Sequence, residues 1–559
     1  MTWKLKQGAR RLLAQESGTI FKEGAVRVAL IYPNTYHIGT SNLGFQLIYR
    51  ILNHIPEVSA ERFYFPDSAE LKFFESGTEL FSLETQRPIS QFDVLAFSIP
   101  FEGDYINVLK MLRLAKLPLR SEQRTEGCPL VIAGGMVTLL NPEPLAPFID
   151  AFAIGEGEEI TEELFDVIKE SSSKAETLKR LSRIEGVYVP GFFTPAYNED
   201  GTFLGFSPSL TVKKRFISDL DPYPAGSTLF TKKTAFSDMH LIEVSRGCGG
   251  ACRFCAEGFV YRYPRHRSKE SIINEIQKAG SNGRRVGLIS PMLLDHPDIK
   301  EIIAESKKMG VNTSLSSLRA DRLDEDMLRA VELSGQKTLT IAPEAGTDTL
   351  RRSINKHFTN EDIIKSAALA FERSITNIKL YFLLGLPMET DDDIRAIGQL
   401  GLSVRGVFTR GKVTIGVNPL VPKPWTPFQW APFPDVKEIE RKYKIIKEEV
   451  RGTTGIKLAL SSPRLFYIQS ILSRGSRRVG ALLELALDEG GSFPRAMRRW
   501  DGDPDFYSRR EPRAEESFPW DFIDHGISKK FLRKEYEKSF ERRRTPECVT
   551  PICKLCGVC

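Results

Sequence analysis

Seven of the eight cysteines fall in two tight groups. One is RGCGGACRFCAEG, with Cys248, Cys252 and Cys255; the other is the chain end, TPECVTPICKLCGVC, with Cys548, Cys553, Cys556 and Cys559. In a reducing compartment such groups read as metal ligands rather than disulfides. The central spacing, C-x3-C-x2-C, fits neither a helix face nor a strand face and suits a loop curled around one object. Gly247, Gly249, Gly250 and Ala251 let the backbone bend that closely and turn amide N–H groups toward bridging sulfurs. A cubane of four irons takes about four cysteines, so three local thiolates leave one iron open. An open metal position is what catalysis uses. A zinc site, or a cluster completed by a distant cysteine, is the structural alternative. The tail spacing, C-x4-C-x2-C-x2-C, is nearer a ferredoxin-like run than a zinc knuckle. It favours a second iron–sulfur cluster over zinc, as an electron relay or an anchor; a redox-active or sulfur-carrying tail is a third reading. Cys128, alone in GCPLVIAGG, reads as a small buried hydrophobe.

The elements that must position the central triad are legible on both sides of it. HLIEVSRG reads as a strand, and SKESIINEIQKA as a helix capped by Ser268. The triad therefore sits on a strand-to-helix loop, where α/β folds gather their sites. RRVGLISPMLLDHP, VNTSLSSLRADRL, QKTLTIAPEAGTDTLRRSINK, NIKLYFLLGLPMET and KVTIGVNPLVPKPWTPFQW each open as a short apolar strand and break into Gly, Pro or polar residues. That alternation predicts a parallel sheet of six strands between about residues 238 and 420. Upstream, VRVALIYPNTY, QFDVLAFSIP, CPLVIAGG and IDAFAIGEGE repeat the pattern and predict a small doubly wound domain. Asp200–Gly201 marks a hairpin, and DLDPYPAG a linker. The fold class is α/β throughout. The domains are residues 1–23, an N-terminal helix; 24–175, the doubly wound domain; 176–236, hairpin and linker; 237–435, the barrel; 436–526, a helical region; and 527–559, a basic helix with the four-cysteine tail.

At 559 residues the chain exceeds what one core supports. A net charge of +6 is small for that size and does not argue for nucleic acid. The concentrated basic stretch, SKKFLRKEYEKSFERRR, reads first as a solvated helix face and second as a contact for an anionic partner. No apolar run is long enough to span a bilayer. The start, MTWKLKQGARRLLAQE, reads as an ordinary helix rather than a transit peptide, so the cytoplasm is the expected compartment.

The triad, with Phe254 before its last cysteine, resembles the radical S-adenosylmethionine (SAM) superfamily. That resemblance implies a 4Fe–4S cluster on Cys248, Cys252 and Cys255, with SAM on the open iron through its amino and carboxylate groups. It implies reductive cleavage of SAM to a 5′-deoxyadenosyl radical, a six-unit partial barrel, and an electron donor such as flavodoxin or ferredoxin. By the same resemblance Ser290, Pro291 and Met292 meet the SAM amino group and Arg319 its carboxylate, for which a guanidinium fork is suited. Glu344 then meets the ribose, and Asn418 and Leu420 the adenine. Arg319 and Glu344 also read as plain ion-pair partners.

The N-terminal VIAGG…NPEP…IDAFAIGEGE run resembles the cobalamin-binding-type domain that precedes many such barrels. The cobalt-ligating pattern of that fold, Asp-x-His-x-x-Gly, is not kept in Thr35-Tyr36-His37-Ile38-Gly39-Thr40, so His37 is not expected to ligate cobalt. Cobalamin binding is left open. SLRADRL, APEAGTDTLR, YFLLGLP, VPKPWTPFQW and the CKLCGVC ending together resemble a bacterial group of cobalamin-domain radical SAM proteins over nearly the whole chain. The barrel phrases are also similar to those of tRNA and ribosomal methylthiotransferases, which carry three more cysteines in an N-terminal domain; here that region has Cys128 alone. The implied function is a radical SAM enzyme acting on RNA, a protein or a small molecule, by methylation if cobalamin binds. The alternative is a non-catalytic iron–sulfur or zinc protein that binds RNA or a ribosomal partner.

Overall fold

The computed structural model describes residues 2–315, 319–333, 335–373, 375–548 and 553–558. The run VRVALIY is apolar almost throughout, the mark of a strand covered on both faces. It forms β1 (Val26–Tyr32), whose Val28, Ala29, Leu30 and Ile31 are fully buried. Around it lie β2 (Val58–Tyr64), β3 (Val94–Ser98), β4 (Leu130–Gly134), β5 (Ala151–Ala153) and β6 (Val187–Tyr188). The order is β2-β1-β3-β4-β5-β6, parallel except for the antiparallel β6. Val28 stands between Ala60 and Val94, which sets the register. This is a doubly wound order with its switch point between β1 and β3.

Helices α1 (Leu43–His54) and α2 (Gly157–Glu170) cover one face, where Phe45, Tyr49, Ile160 and Leu164 pack on Val28 and Leu30. Asn42 caps α1 by accepting the Phe45 N–H. Strand β2 was hidden in the sequence because it buries Glu61 and Arg62; the Arg62 guanidinium is held by Glu16 and Glu84 at 2.5 Å.

The barrel region has β7 (His240–Glu243), β8 (Val286–Ile289) and β9 (Thr313–Leu315) in one parallel sheet. A second parallel sheet holds β10 (Thr338–Glu344), β11 (Asn377–Leu384), β12 (Lys412–Pro419) and β13 (Ile456–Leu460). All six expected strands are present. The seventh, β13, extends the sheet from within the segment read as helical; as a half-exposed edge it carries no continuous apolar run. Outer helices α3 (Lys269–Ser281), α4 (Asn360–Phe371), α5 (Asp391–Val407) and α6 (Val436–Glu449) alternate with these strands. Ser268 caps α3 as expected, accepting the Ser271 N–H.

After the barrel, α7 (Pro463–Arg474) and α8 (Val479–Asp488) return to the N-terminal domain. Arg120 makes a two-pronged bond to Glu484, and the buried Asn141 donates to the carbonyls of Ser473 and Gly475. Leu109, Phe148, Leu482, Trp430, Trp520, Ala251 and Phe259 share one apolar core, so N-terminal domain, triad loop and C-terminal region fold together. The last helix, α9 (Lys529–Phe540), was read first as a solvated face. It instead buries Leu532, Glu535, Tyr536 and Ser539, leaving its outer lysines in water. Cys128, expected in the core, is only half-buried in a turn. No described helix is long and apolar enough to cross a membrane.

Candidate functional site

The triad loop leaves the carboxyl end of β7. A β-carbon on Gly247 would stand 2.3 Å from the Tyr261 carbonyl oxygen, and its φ of +82° is one that side chains rarely adopt. Only glycine lets the loop close there. Ala251 also takes a left-handed φ, of 49°, which turns the chain between Cys248 and Cys252. The Gly250 N–H donates to Cys248 Sγ at 3.3 Å, and the Cys248 thiol donates to Met292 Sδ at 2.8 Å. Ser290 Oγ accepts the Met292 N–H and bonds Ser245 Oγ. Met292 therefore touches Cys248, and Ser290 stands one bond behind it. Phe254 packs against the shared apolar core.

Burial raises all three thiol pKa values, that of Cys255 to about 12, with the neighbouring Cys252 adding to the effect on Cys248 and Cys255. Buried thiols of this kind ionise when cationic metal compensates them. The three sulfurs are carried on one short loop, with the Gly250 N–H turned toward Cys248.

The loop is braced from behind by residues the motif does not announce. The fully buried Arg253 bonds Glu535 of α9 at 3.1 Å and donates to the carbonyls of Ser353 and Arg543. Buried Asn355 donates to the carbonyl of Ala251 and accepts the Thr545 N–H. Nothing in sequence distinguishes Arg253 from an ordinary surface arginine, since its partner lies 282 residues away.

Lys356, also unforeseen, bonds Glu344 at 3.2 Å and the Ala342 carbonyl at 2.7 Å. Burial opposes its charge, but Glu344 and the Cys252 sulfur outweigh that and raise its pKa. Cys252 in turn feels Lys356, Glu344 and Arg319, so the structure gathers these groups around one sulfur. Arg319, 18% exposed, bonds Asp321 through two nitrogens and Glu547 at 2.6 Å. Burial opposes its charge too, and these carboxylates more than restore it. Asn418 accepts the Ser461 hydroxyl, and Leu420 lies in the apolar core. Asn418 lies one residue before the end of β12 and Leu420 just beyond its end, both bound into the fold.

The first tail cysteine, Cys548, lies directly on the triad loop. The Cys548 N–H donates to the Gly249 carbonyl at 2.9 Å. A β-carbon on Gly249 would come within 3.3 Å of the Cys548 carbonyl oxygen. Cys556 is buried, and its carbonyl accepts the Ser528 N–H at the start of α9. Cys553 is half-buried. Cys559 lies outside the described residues, as do residues 317–318 of the SLRADRL phrase.

A cavity of about 560 Å³ separates the triad's flank from the carboxyl ends of β3, β4 and β5. Ser245, Arg246, Glu257, Tyr261 and Pro291 form its barrel wall, and Ser98, Gly134 and Gly157 its opposite wall. A β-carbon on Gly134 would meet nothing nearer than 3.8 Å, so the β4 end is open there, whereas one on Gly157 would stand 2.5 Å from the Ile48 side chain. Burial raises the Glu257 pKa to about 7. The acids of the GEGE run, in contrast, are engaged across the domain boundary. Glu156 takes both prongs of Arg265, and Glu158 bonds Arg246 at 2.7 Å. His37 is not in this cavity; it lines a separate one and bonds the Lys233 carbonyl at 2.8 Å.

Residues 44–190 match a family model described as radical SAM proteins, N-terminal, and residues 242–400 match the radical SAM superfamily. An uncharacterized protein of Methanocaldococcus jannaschii is 31% identical over 459 residues, covering 82% of this chain and 90% of its own. The anaerobic magnesium-protoporphyrin IX monomethyl ester cyclase of Cereibacter sphaeroides is 23% identical over 269 residues, 44% of this chain and 40% of its own. Among solved structures, the radical SAM methyltransferase TsrM of Kitasatospora setae, described with cobalamin and a 4Fe–4S cluster bound, superposes with a TM-score of 0.50 at 14% identity. It covers 85% of this chain and 100% of that one, a likeness of fold.

Proposed function

The chain belongs to the radical SAM superfamily, and from that premise we propose that it is an enzyme holding a 4Fe–4S cluster on Cys248, Cys252 and Cys255, with SAM beside it. When bound, that cluster supplies the electron that splits SAM into methionine and a 5′-deoxyadenosyl radical. The observation that carries the reading is the three-thiol loop, closed by Gly247, braced by Arg253 and Asn355, and opening beside the inter-domain cavity. Arg319 would receive the SAM carboxylate after parting from Glu547. Glu344, steadied by Lys356, would accept from the ribose hydroxyls. Ser290 and Met292 would flank the amino group. Asn418 and Leu420 retain only a place at the β12 end as support for an adenine contact.

We propose that the cavity receives cobalamin without an imidazole ligand, because His37 faces elsewhere and Gly134 leaves the β4 end open. Methyl transfer is then the reaction class, with RNA favoured slightly as substrate over a protein or small molecule and a flavodoxin or ferredoxin as reductant. The tail cysteines Cys548, Cys553, Cys556 and Cys559 would hold a second cluster, or zinc.

The test is iron, zinc and cobalamin content of anaerobically prepared protein, with 5′-deoxyadenosine and S-adenosylhomocysteine measured after reduction with SAM. Wild type is expected to hold about eight irons, and a Cys248/Cys252/Cys255→Ala variant about four with no SAM cleavage. Iron near zero with zinc retained in the variant makes the tail a zinc site. Unchanged metal and SAM turnover in the variant would refute the enzyme reading. Cobalamin binding without S-adenosylhomocysteine would refute methyl transfer.

A further inference from the structure

The inner face of the second barrel sheet is uncovered. Helices α4, α5 and α6 pack Ile363, Ile397 and Ile446 onto its outer face, in one core with Leu380, Val413 and Ile415. The opposite face carries Lys379 and Tyr381 on β11, Lys412 and Gly416 on β12, and Lys457 on β13. Parallel barrel strands are normally buried on both faces, with branched apolar residues inside. Here the three lysines are exposed, and so is 39% of Tyr381.

Tyr381 is seated as a platform. Its ring lies across β12 at Gly416, where an added β-carbon would stand 2.7 Å from the ring. A side chain at 416 would lift the ring off the sheet.

The charge on this face is one-sided. Like charges on neighbouring strands destabilise a sheet. Yet Lys379 and Lys457 share one cross-strand row with Thr414 between them, and Lys412 stands two residues before Thr414. By strand spacing and rise, the three α-carbons lie roughly 8–10 Å apart. Among the described residues, Glu344 is the one carboxylate on this face of the four strands, and Lys356 holds it at 3.2 Å. None of the three lysines has a carboxylate partner among the described ion pairs. A lysine on the edge strand β13 is ordinary protection against strand pairing. Lysines on β11 and β12, which have neighbours on both sides, are not explained that way.

We propose that this face is the substrate cradle and that the substrate is single-stranded RNA. One unpaired base would stack on Tyr381, and Lys379, Lys412 and Lys457 would pair with successive phosphates. Cations that track a backbone, with an aromatic ring among them, are how single strands are held. A mononucleotide carries its phosphate at one end and cannot meet three ammonium groups so spaced. The face also leads to the triad. Tyr381 stands one residue before Phe382, the β11 partner of Glu344, and Glu344 belongs to the group gathered around Cys252. The proposal rests on the enzyme reading for what is done to the base, though not for its binding.

The test is fluorescence anisotropy of a labelled single-stranded RNA of about 12 nucleotides, a length chosen to exceed one site. The full-length, anaerobically prepared protein is used, AMP is the competitor, and SAM cleavage is measured on the same preparations. Wild type is expected to bind the strand, with AMP competing poorly. Tyr381→Leu should weaken binding about tenfold, the loss of one stacked base. Lys379→Gln with Lys457→Gln should lower the slope of log affinity against log salt by about 1.4, the loss of two phosphate contacts. A merely structural defect would leave that slope in place. Lys530→Gln with Lys534→Gln, on the exposed side of α9, should bind like wild type. No RNA binding by wild type, cradle variants that bind like wild type, or equal loss from the α9 pair overturns the proposal. AMP competing as well as the strand overturns RNA in favour of a free nucleotide. SAM cleavage without RNA binding would sink the cradle alone, and RNA binding through the cradle without SAM cleavage would sink the enzyme reading alone.

Discussion

The triad loop and the tail look alike as sequence, each a few cysteines spaced by two to four residues, yet the fold treats them differently. The triad is part of the core: Ala251 and Phe259 join the main apolar cluster, and Arg253 is tied to α9 with no exposed surface. The tail is an applied layer, resting on Gly249 through Cys548 and on α9 through Cys556. Spacing reports ligand chemistry, whereas packing reports which site is built and which is attached.

The sharpest way to break the comparison is to remove one sulfur from each group. Cys252→Ala should abolish 5′-deoxyadenosine formation and remove the triad's iron, while Cys556→Ala should cost only the tail's metal and leave SAM cleavage measurable. Metal analysis and product chromatography read both. Equal loss of all metal from either substitution would mean the two groups hold one shared centre.

Next in size is the brace. Arg253→Met removes one of the partners of Glu535, which keeps Lys538 and Thr545, and leaves the Ser353 and Arg543 carbonyls without their donor. Breaking a buried pair costs up to about 3–5 kcal/mol in denaturant unfolding. Arg253→Lys, which keeps a charge beside Glu535 but not the fork that reaches those carbonyls, should recover only part of that. An unchanged unfolding midpoint in Arg253→Met would show that the triad loop does not depend on α9.

Half of this arrangement was legible beforehand. The strand–loop–helix alternation revealed the barrel strands, and Ser268 marked a helix start that the structure keeps. Strands β2 and β13 were missed for opposite reasons: β2 buries charges that only distant Glu16 and Glu84 neutralise, and β13 is an edge with half-wet residues. In the GEGE run, Glu156 and Glu158 clasp Arg265 and Arg246 across the domains, pairings that no local pattern announces. Lys356 and Asn355 were invisible because their partners are set by contact, not by spacing.

A smaller effect should sharpen the contact between the two regions. Glu547 competes for the arginine that SAM would use, so Glu547→Gln should tighten SAM binding about fivefold, near 1 kcal/mol for a partly buried pair. Equilibrium dialysis would show it; weaker binding would mean Glu547 supports the site instead of blocking it.

The mildest probe is acid. Burial raises the Glu535 pKa, but Lys538, Thr545 and Arg253 outweigh it and hold it below its ordinary value of 4.5. Its folded pKa is depressed, so its contribution is complete above that value and is lost as pH falls through the folded one. Limited proteolysis should therefore release residues after α9 earlier in acid than the barrel, and Glu535→Gln should remove the pH dependence. Release independent of pH would place the attachment elsewhere.

By itself the sequence determined the chemistry on offer: which residues are thiols, which loops can bend around a cluster, and where strands and helices alternate. Those follow from residue type, backbone freedom and periodicity, which are local properties. Only the tertiary structure decided that Cys548 lies on the triad loop, that Arg319 meets Glu547, and that His37 faces a cavity away from the triad. Each depends on groups far apart in the chain brought together by burial of a common core, and no local pattern encodes that distance.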